Sequence, residues 1–337
     1  MNYVIVGTGR MGKNHILAAH SLGLTLAGIC DRSDARMEEI ASEFSLTKNQ
    51  CFTQPETMFD AVRAPLTVIA TTADCHADLV VSASRYSHSI LCEKPMATSL
   101  HDAERMIDAC DSNNVRLAIN HQMRFMERYS LIRDELNGGR FGRLGSTNVV
   151  AGNFGFAMNG SHYFEAFRYL TDSNLRSVAA LFSPKALKNP RGPQFCDAAG
   201  SLMCVAESGQ HFLLSAGEHQ GHGLTVTYAT QWGHIVCDEL AGRYSATVRK
   251  PEHREQPSNR YGMPSDKWER TFPLVEHAAT TASVLQELLD GQQYPNGQDG
   301  LHAIACVVAA HKSNDQHGKP SRLDDLADYT TRVFPWA

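Results

Sequence analysis

Two side chains in the sequence could move protons in a reaction. The first is Lys94, which follows an apolar run, residues 89–92, that predicts a parallel strand, and which stands between Glu93 and Pro95. A lysine beyond the carboxyl end of such a strand can point its ammonium into the crevice where open α/β sheets bind ligands, and the proline defines its position. Partial burial would lower the pKa of this lysine, so that it exchanges a proton with a hydroxyl. The alternative is a surface ion pair between Glu93 and Lys94 at a helix start.

His162 is the second candidate. Ser161 is a typical helix N-cap, and apolar side chains at positions 163, 164, 167 and 170 predict a helix after it. The positive end of the helix dipole disfavours the imidazolium, so a histidine in the first turn stays neutral and can accept a proton near pH 7. The alternative is a histidine that packs at a domain junction.

A glycine-rich turn near the first residue predicts a dinucleotide site. Residues 3–6 form an apolar strand, residues 7–12 read G-x-G-x-x-G, and helical spacing follows. Gly7 allows the tight turn, Gly9 lets the backbone approach a pyrophosphate, and Gly12 lets the helix pack closely on the strand. The N–H groups of the helix N-terminus favour phosphates. We therefore predict cofactor contacts at Gly7, Thr8, Gly9, Arg10, Met11 and Gly12.

The choice between NAD and NADP depends on the residues after the second strand. That strand, residues 24–30, ends at Asp31, where a carboxylate can bind the diol of an adenosine ribose. Asp31 would repel a 2′-phosphate and favours NAD, whereas Arg32 and Ser33 could hold that phosphate. We expect NAD, with NADP as the alternative.

Gln122 and Arg124 follow the sixth predicted strand, residues 116–120, and should open at the same crevice. Gln122 could meet a carboxamide, and Arg124 could meet a polar or anionic group of a substrate. The alternative is a solvated connector between domains.

A doubly wound sheet would position the candidate residues up to Gln122, whereas His162 would lie in a second domain. From residue 1 to about 120, six predicted strands alternate with helices, which indicates a parallel sheet. Later apolar stretches alternate with period two and lack intervening helices, as in a half-exposed antiparallel sheet, whereas residues 249–267 predict a surface loop. We predict an α/β Rossmann domain that binds NAD(P) over residues 1–122. Residues 123–337 should form an α+β domain with an open, mostly antiparallel sheet, for substrate binding and oligomerisation.

Composition narrows the classes of partner. The 337-residue chain has a net charge of -5, which gives no basic field for nucleic acid and no basic patch for a membrane surface. No apolar run could span a bilayer, and a core strand stands where a signal peptide would, so we expect a cytoplasmic protein. Nine cysteines without C-x-x-C spacing predict reduced core thiols. Histidines 211, 219 and 222 lack a matching cysteine or carboxylate pattern, so we predict no metal site.

Taken together, these residues resemble the family of glucose-fructose oxidoreductase, inositol dehydrogenase and MocA-like proteins (Gfo/Idh/MocA). The resemblance runs nearly from end to end, and its most specific part is Glu93-Lys94-Pro95. The other matching segments are the glycine turn, Thr71-Thr72 with His76 after it, residues 122–125, residues 155–162, and residues 299–301 with the following helix.

The resemblance implies an NAD(P)-dependent oxidoreductase that acts on sugars, sugar nucleotides, inositols or related polyols. It implies His162 as acid/base with Lys94 beside it, and an open sheet that forms the interface of a homodimer or homotetramer. It extends the predicted cofactor contacts to Thr71, Thr72, His76, Glu93, Lys94 and Gln122. We predict that Arg124, Asn159 and Tyr163 orient the substrate.

The expected reaction is hydride transfer between the nicotinamide and a secondary carbinol carbon, with His162 taking the hydroxyl proton and Lys94 polarising the oxygen. The sequence departs from the family at Met158, where many relatives carry an aspartate, and Asn159 could supply a polar contact instead. Two other functions stay open. One is a dehydrogenase for a non-sugar carbonyl compound or diol, and the other is a dinucleotide-binding sensor without turnover.

Overall fold

The computed structural model describes residues 1–152, 154–185, 187, 189–221, 223–257 and 263–336. The chain forms two compact units. The first unit comprises Met1–Phe125, Glu276–Ile304 and Asp328–Ala337, and the second comprises Met126–Val275 and Ala305–Ala327. The predicted division after residue 122 did not anticipate the two C-terminal segments that group with the first unit. The roles assigned to the two domains stay predictions.

Six strands form the sheet of the first unit. They are β1 (Asn2–Val6), β2 (Thr25–Cys30), β3 (Cys51–Phe52), β4 (Leu66–Ile69), β5 (Ser89–Cys92) and β6 (Arg116–Ile119). They lie in the order β3-β2-β1-β4-β5-β6, and every pair is parallel. All residues of β4 and β5 are buried, as expected of strands covered on both faces. The predicted doubly wound sheet is therefore confirmed.

Five helices connect these strands. They are α1 (Arg10–Ser21), α2 (Asp34–Glu43), α3 (Pro55–Ala61), α4 (His76–Ala83) and α5 (Leu100–Ser112). The side chains of Ser33 and Ser99 cap α2 and α5 by accepting a first-turn N–H, and Pro55 opens α3 at the position where its missing N–H costs nothing.

The second unit is built on a larger mixed sheet. Its helices are α6 (Glu127–Asn137) and α7 (Ser161–Thr171), and its strands begin with β7 (Leu144–Gly152), β8 (Leu175–Phe182), β9 (Gly200–Ala206) and β10 (His211–Gly217). They continue with β11 (Leu224–Thr230), β12 (Gly233–Asp238), β13 (Arg243–Arg249) and β14 (Ser265–Thr271). The loop predicted over residues 249–267 therefore ends earlier than expected, because β14 begins at Ser265.

Two helices and a short strand complete the chain: α8 (His277–Asp290), α9 (Gly297–Asp315) and β15 (Ser321–Arg322). The order of the second sheet is β14-β13-β12-β11-β7-β10-β9-β8-β15, and only β7 and β10 pair in parallel among its described neighbours. Side chains along β9 alternate between buried and exposed, so one face of the sheet is open. This confirms the predicted open, mostly antiparallel sheet.

The segment after β15 returns to the first unit. Trp336 is buried, and its indole N–H donates to the carbonyl of Ala97 at 2.9 Å. The N–H of Phe334 donates to the carbonyl of Thr98 at 2.9 Å, and the two aromatic rings are stacked. The C-terminal segment therefore packs on the residues that follow Lys94. In the part of the chain that the structure describes, no helix is long and apolar enough to cross a bilayer.

Candidate active site

The glycine turn between β1 and α1 has the backbone that the sequence predicts. Gly7 adopts a φ of +95°, which favours glycine, and its N–H donates to the carbonyl of Cys30 at 2.8 Å. A Cβ at Gly12 would lie 2.1 Å from the carbonyl oxygen of Gly7, so only glycine fits there. Gly9 is the N-cap of α1, and nothing lies within 4 Å of the position of its absent Cβ. The turn is therefore tight on its inner side and open where a phosphate would approach.

Asp31 is held against this turn. Its Oδ2 accepts hydrogen bonds from the backbone N–H of Thr8 at 2.8 Å and from the Thr8 hydroxyl at 2.9 Å, and its Oδ1 accepts from the N–H of Ser33 at 2.9 Å. Burial raises the pKa of the carboxyl, but the hydrogen bonds from Thr8 and Ser33 outweigh it, and the pKa falls below its usual value. Asp31 is therefore an anion fixed beside the glycine turn, whereas the side chain of Arg32 is exposed.

His76 joins two loops of the first unit. Its ring is buried, with Nδ1 3.0 Å from the carbonyl oxygen of Pro95 and 3.3 Å from that of Met96. Its Nε2 lies 3.3 Å from the carbonyl oxygen of Thr71. Burial lowers the pKa of this imidazole, which favours the neutral ring. The side chain therefore ties the residues after β4 to the residues after Lys94.

Glu93 points into the first unit. Its carboxylate is 2% exposed, Oε1 lies 2.8 Å from His15 Nε2 and accepts from the Asn120 amide at 2.8 Å, and Oε2 accepts from the backbone N–H of Lys94 at 3.2 Å. Burial raises the pKa of Glu93, but the hydrogen bond and charge of His15, with the Lys94 charge and Asn120, lower it to about 2. The alternative of a surface ion pair is wrong for Glu93, because this carboxylate is in the interior.

Gln122 and Arg124 are also inside the first unit. The amide oxygen of Gln122 accepts from the hydroxyls of Thr280 at 3.0 Å and Thr281 at 2.8 Å, both on α8. Arg124 pairs with Asp299 at 3.1 Å, and both side chains are largely buried. The alternative of a solvated connector is therefore wrong. The partners of both residues come from the C-terminal third of the chain.

In the second unit, His162 lies where α7 begins, but the start of this helix differs from the prediction. A π-helical turn, Phe156–Gly160, runs directly into α7, and the Ser161 hydroxyl donates back to the carbonyl of Ala157 at 2.6 Å. Ser161 is therefore not the N-cap. Because the helical backbone begins earlier, its positive end lies near Phe156 rather than at His162.

Asp197 stabilises the turn before His162, and the sequence analysis missed it. The carboxylate is buried, and its two oxygens accept the backbone N–H groups of Ala157 at 2.9 Å and Met158 at 2.7 Å. A Cβ at Gly155 would lie 2.2 Å from the Asp197 carboxyl carbon, so glycine is required there. No local pattern marks Asp197, because it acts on a turn about forty residues earlier in the chain.

Tyr163 anchors α7 within the second unit. Its hydroxyl donates to Glu239 Oε2 at 3.0 Å, and the same buried carboxylate receives the Tyr129 hydroxyl at 2.7 Å and Arg128 at 3.0 Å. Burial, with the charge of Glu239, raises the pKa of Tyr163. The Tyr163 hydroxyl is thus engaged in the interior, whereas Asn159 is exposed.

The structure gathers the predicted residues into two groups. The glycine turn, Asp31, Thr71, Thr72, His76, Glu93, Lys94, Gln122 and Arg124 belong to the first unit, and Asn159, His162 and Tyr163 belong to the second. His222 lies outside the described residues. Among the residues that are described, no cluster of three or more histidine, cysteine, aspartate or glutamate side chains could hold a metal ion.

The strand order, the glycine turn and the acid after β2 define a dinucleotide-binding Rossmann unit. Residues 1–121 match the GFO_IDH_MocA family model, described as an oxidoreductase family with an NAD-binding Rossmann fold. The first 121 residues of the chain are therefore similar to the NAD-binding unit of this family.

Two relatives and one solved structure illustrate the similarity. The rhizopine catabolism protein MocA of Rhizobium meliloti is 27% identical over 232 residues, which are 63% of this chain and 70% of the relative. The inositol 2-dehydrogenase of Streptomyces avermitilis is 28% identical over 227 residues, 61% of this chain and 65% of the relative. Other curated relatives match over a smaller share of their length, 38% in one case.

The solved structure is an oxidoreductase from Agrobacterium radiobacter in complex with NAD+, L-tartaric acid and magnesium. It superposes with a TM-score of 0.79 over 97% of this chain and 99% of that chain, at 18% sequence identity. At this identity the similarity concerns the fold.

Proposed function

We propose that this protein is an NAD(P)-dependent dehydrogenase that transfers hydride between the nicotinamide and a secondary alcohol or ketone of a sugar, sugar nucleotide or polyol. One observation carries the proposal. The last residues of β1, β2, β4 and β5, which are Val6, Cys30, Ile69 and Cys92, lie side by side in register. The glycine turn, Asp31 and Lys94 follow them, at the sheet edge where open α/β proteins bind ligands.

The residues at this edge fit a dinucleotide. The open side of Gly9 and the first turn of α1 suit a pyrophosphate, and the ionised Asp31 suits a ribose diol. Thr71 and Thr72 continue the same edge after β4. NAD, when bound, supplies the carbon that accepts or donates the hydride. We favour NAD over NADP because the Asp31 carboxylate would repel a 2′-phosphate.

The acid/base roles fall to Lys94 and His162. Oxidation of a carbinol releases the hydroxyl proton, and we propose that His162 takes it while Lys94 donates a hydrogen bond to the oxygen. Asn159 is exposed and keeps its proposed role in orienting the substrate. For Arg124 and Tyr163 we propose a supporting role, since each binds a buried carboxylate of its own unit.

The substrate class is supported by the names of the relatives, which include inositol 2-dehydrogenase and D-apiose dehydrogenase. Both names denote dehydrogenases of hydroxyl-rich small molecules. We therefore propose a polyol or sugar as the substrate of this chain.

We also propose that the open face of the second sheet joins copies of this chain into a homodimer or homotetramer. Leu181, Met203 and Val150 lie on that face and are 62%, 45% and 43% exposed. Exposed apolar side chains grouped on one face are typical of an interaction surface. Light scattering should give a multiple of 37.1 kDa for the wild type and a smaller mass for Leu181→Lys. A monomeric wild type would contradict this part of the proposal.

The function is tested by titrating the protein with NADH and with NADPH, and then by following absorbance at 340 nm with a panel of polyols, sugars and sugar nucleotides. We expect binding of NADH and turnover of at least one polyol or sugar. Lys94→Ala should still bind NADH, with some loss of affinity, and lose at least about 100-fold in kcat, whereas Lys48→Ala, on the surface of the same unit, should match the wild type. Binding without turnover of any panel member would contradict the substrate class, and failure to bind either cofactor would overturn the proposal.

A further inference from the structure

The buried carboxylate beside Lys94 is a charge that the proposed mechanism has not used. Glu93 is 2% exposed and its partner His15 is 0% exposed, so bulk water does not solvate this anion. A buried charge must be compensated by hydrogen bonds and by opposite charge. His15, Asn120 and the backbone N–H of Lys94 supply the hydrogen bonds.

The carboxylate is fixed relative to Lys94. One oxygen accepts the N–H of Lys94, and the other is held by His15 from α1 and by Asn120 from the end of β6. Neither oxygen can turn away without losing a hydrogen bond, and the two bonds made by Oε1 are buried. Since α1 begins at the glycine turn, the helix that we propose to meet the phosphates also holds Glu93 through His15.

We propose that Glu93, held by His15 and Asn120, is a positioning residue that keeps the Lys94 side chain in its ammonium form. The inference rests on the proposed function, in which Lys94 polarises the oxygen of the substrate. A fixed, buried anion next to a half-buried lysine stabilises the ammonium over the amine. Lys94 then acts as a hydrogen-bond donor and a positive charge, and the proton of the carbinol goes to His162.

The other titratable groups near Glu93 do not replace this charge. Burial lowers the pKa of His76 on α4, which keeps that ring neutral, and burial together with Glu93 raises the pKa of the Cys92 thiol, which keeps it protonated. His15 is the hydrogen-bond partner described above. The negative charge that acts on Lys94 is therefore the charge of the Glu93 carboxylate.

The test measures the charge of Lys94 without cofactor or substrate. The intact protein is acetylated with sulfo-N-hydroxysuccinimidyl acetate between pH 6 and pH 10, and peptide mass spectrometry gives the rate constants at Lys94 and, as internal references, at Lys13 and Lys48. Only the amine reacts. Glu93→Gln should therefore raise the rate at Lys94 about tenfold at pH 8 relative to Lys48, because loss of the anion favours the reactive amine.

Two control variants separate charge from packing. Glu93→Asp keeps the charge and should change the ratio by less than about threefold. Thr67→Val removes a hydrogen bond between two buried side chains, Thr67 and Ser87, in the same unit and should leave the ratio unchanged. An unchanged ratio in folded Glu93→Gln would overturn the proposal.

If Glu93→Gln does not fold, the proposal is tested with the reciprocal variant, Lys94→Met. Lys94 is only half-buried, so Lys94→Met should fold. Without the ammonium, Glu93 should protonate more easily, and the acid unfolding midpoint should rise by about 0.5 pH unit. A midpoint equal to the wild type would contradict the proposal. Neither readout requires NADH, so failure of the proposed function would appear separately, as absence of cofactor binding.

Discussion

Replacing Glu93 by glutamine should make the first unit less stable at pH 7 and less sensitive to acid. The native pKa of Glu93 is about 2, against an ordinary value of 4.5. The difference of about 2.5 units corresponds to about 3 kcal/mol of free energy of unfolding that the ionised carboxylate contributes. Because the native pKa is lowered, this contribution is present above about pH 5 and is lost as the pH falls towards 2.

The measurement uses Trp336, which is buried in the first unit, as the fluorescent reporter. Urea unfolding is followed at pH 7, 5, 4 and 3 in a background where Trp232 and Trp268 are phenylalanine. We expect the wild type to exceed Glu93→Gln by about 3 kcal/mol at pH 7, and about 2 kcal/mol of this difference should disappear by pH 3. Glu39→Gln, which removes an exposed carboxylate on α2, should follow the wild type at every pH.

A constant difference between wild type and Glu93→Gln from pH 7 to pH 3 would refute the reasoning. It would mean that the carboxylate does not titrate with a lowered pKa, and that the destabilisation reflects packing alone.

Three further predictions concern the glycine turn, the turn that Asp197 stabilises, and the choice between NADH and NADPH. Gly12→Ala places a Cβ 2.1 Å from the Gly7 carbonyl oxygen, so it should lower the thermal midpoint and weaken NADH binding at least about tenfold. Gly9→Ala has open space at its Cβ, so it should weaken NADH binding and leave the thermal midpoint unchanged. Asp197→Ala leaves a buried and a partly buried N–H group without their acceptor and should cost the second unit about 2–4 kcal/mol in urea unfolding. An unchanged midpoint would contradict the role of Asp197 in stabilising the turn before His162. Asp31→Ser removes the charge that opposes a 2′-phosphate, so the ratio of NADPH to NADH affinity should rise at least about tenfold, and an unchanged ratio would show that Asp31 does not select the cofactor.

Sequence patterns predicted the elements whose signals are local. The glycine turn and the apolar strands of the first sheet depend on neighbours within a few residues, and they lie where they were expected. The edge strand β14 was missed because Asp266, Lys267, Glu269 and Arg270 make it polar on both faces, which removes the period-two signal.

The polar partners of the candidate site could not be predicted in this way. Gln122 binds α8 hydroxyls more than 150 residues away, and Asp197 binds a turn about 40 residues away. Periodicity carries no information about such pairs. The N-cap predicted at Ser161 was wrong for a related reason, since the preceding π-helical turn extends the helix and is held by the distant Asp197.

The return of residues 276–304 and 328–336 to the first unit affects how the protein is made. During translation, the glycine turn and the first sheet leave the ribosome early, but α8, which supplies the partners of Gln122, leaves after more than 270 residues. Trp336, which covers Ala97, leaves later still. Domains generally fold as units in the order of synthesis, but here the second unit can close before the first is complete. The first unit therefore cannot be completed until all segments of the second unit have been synthesised.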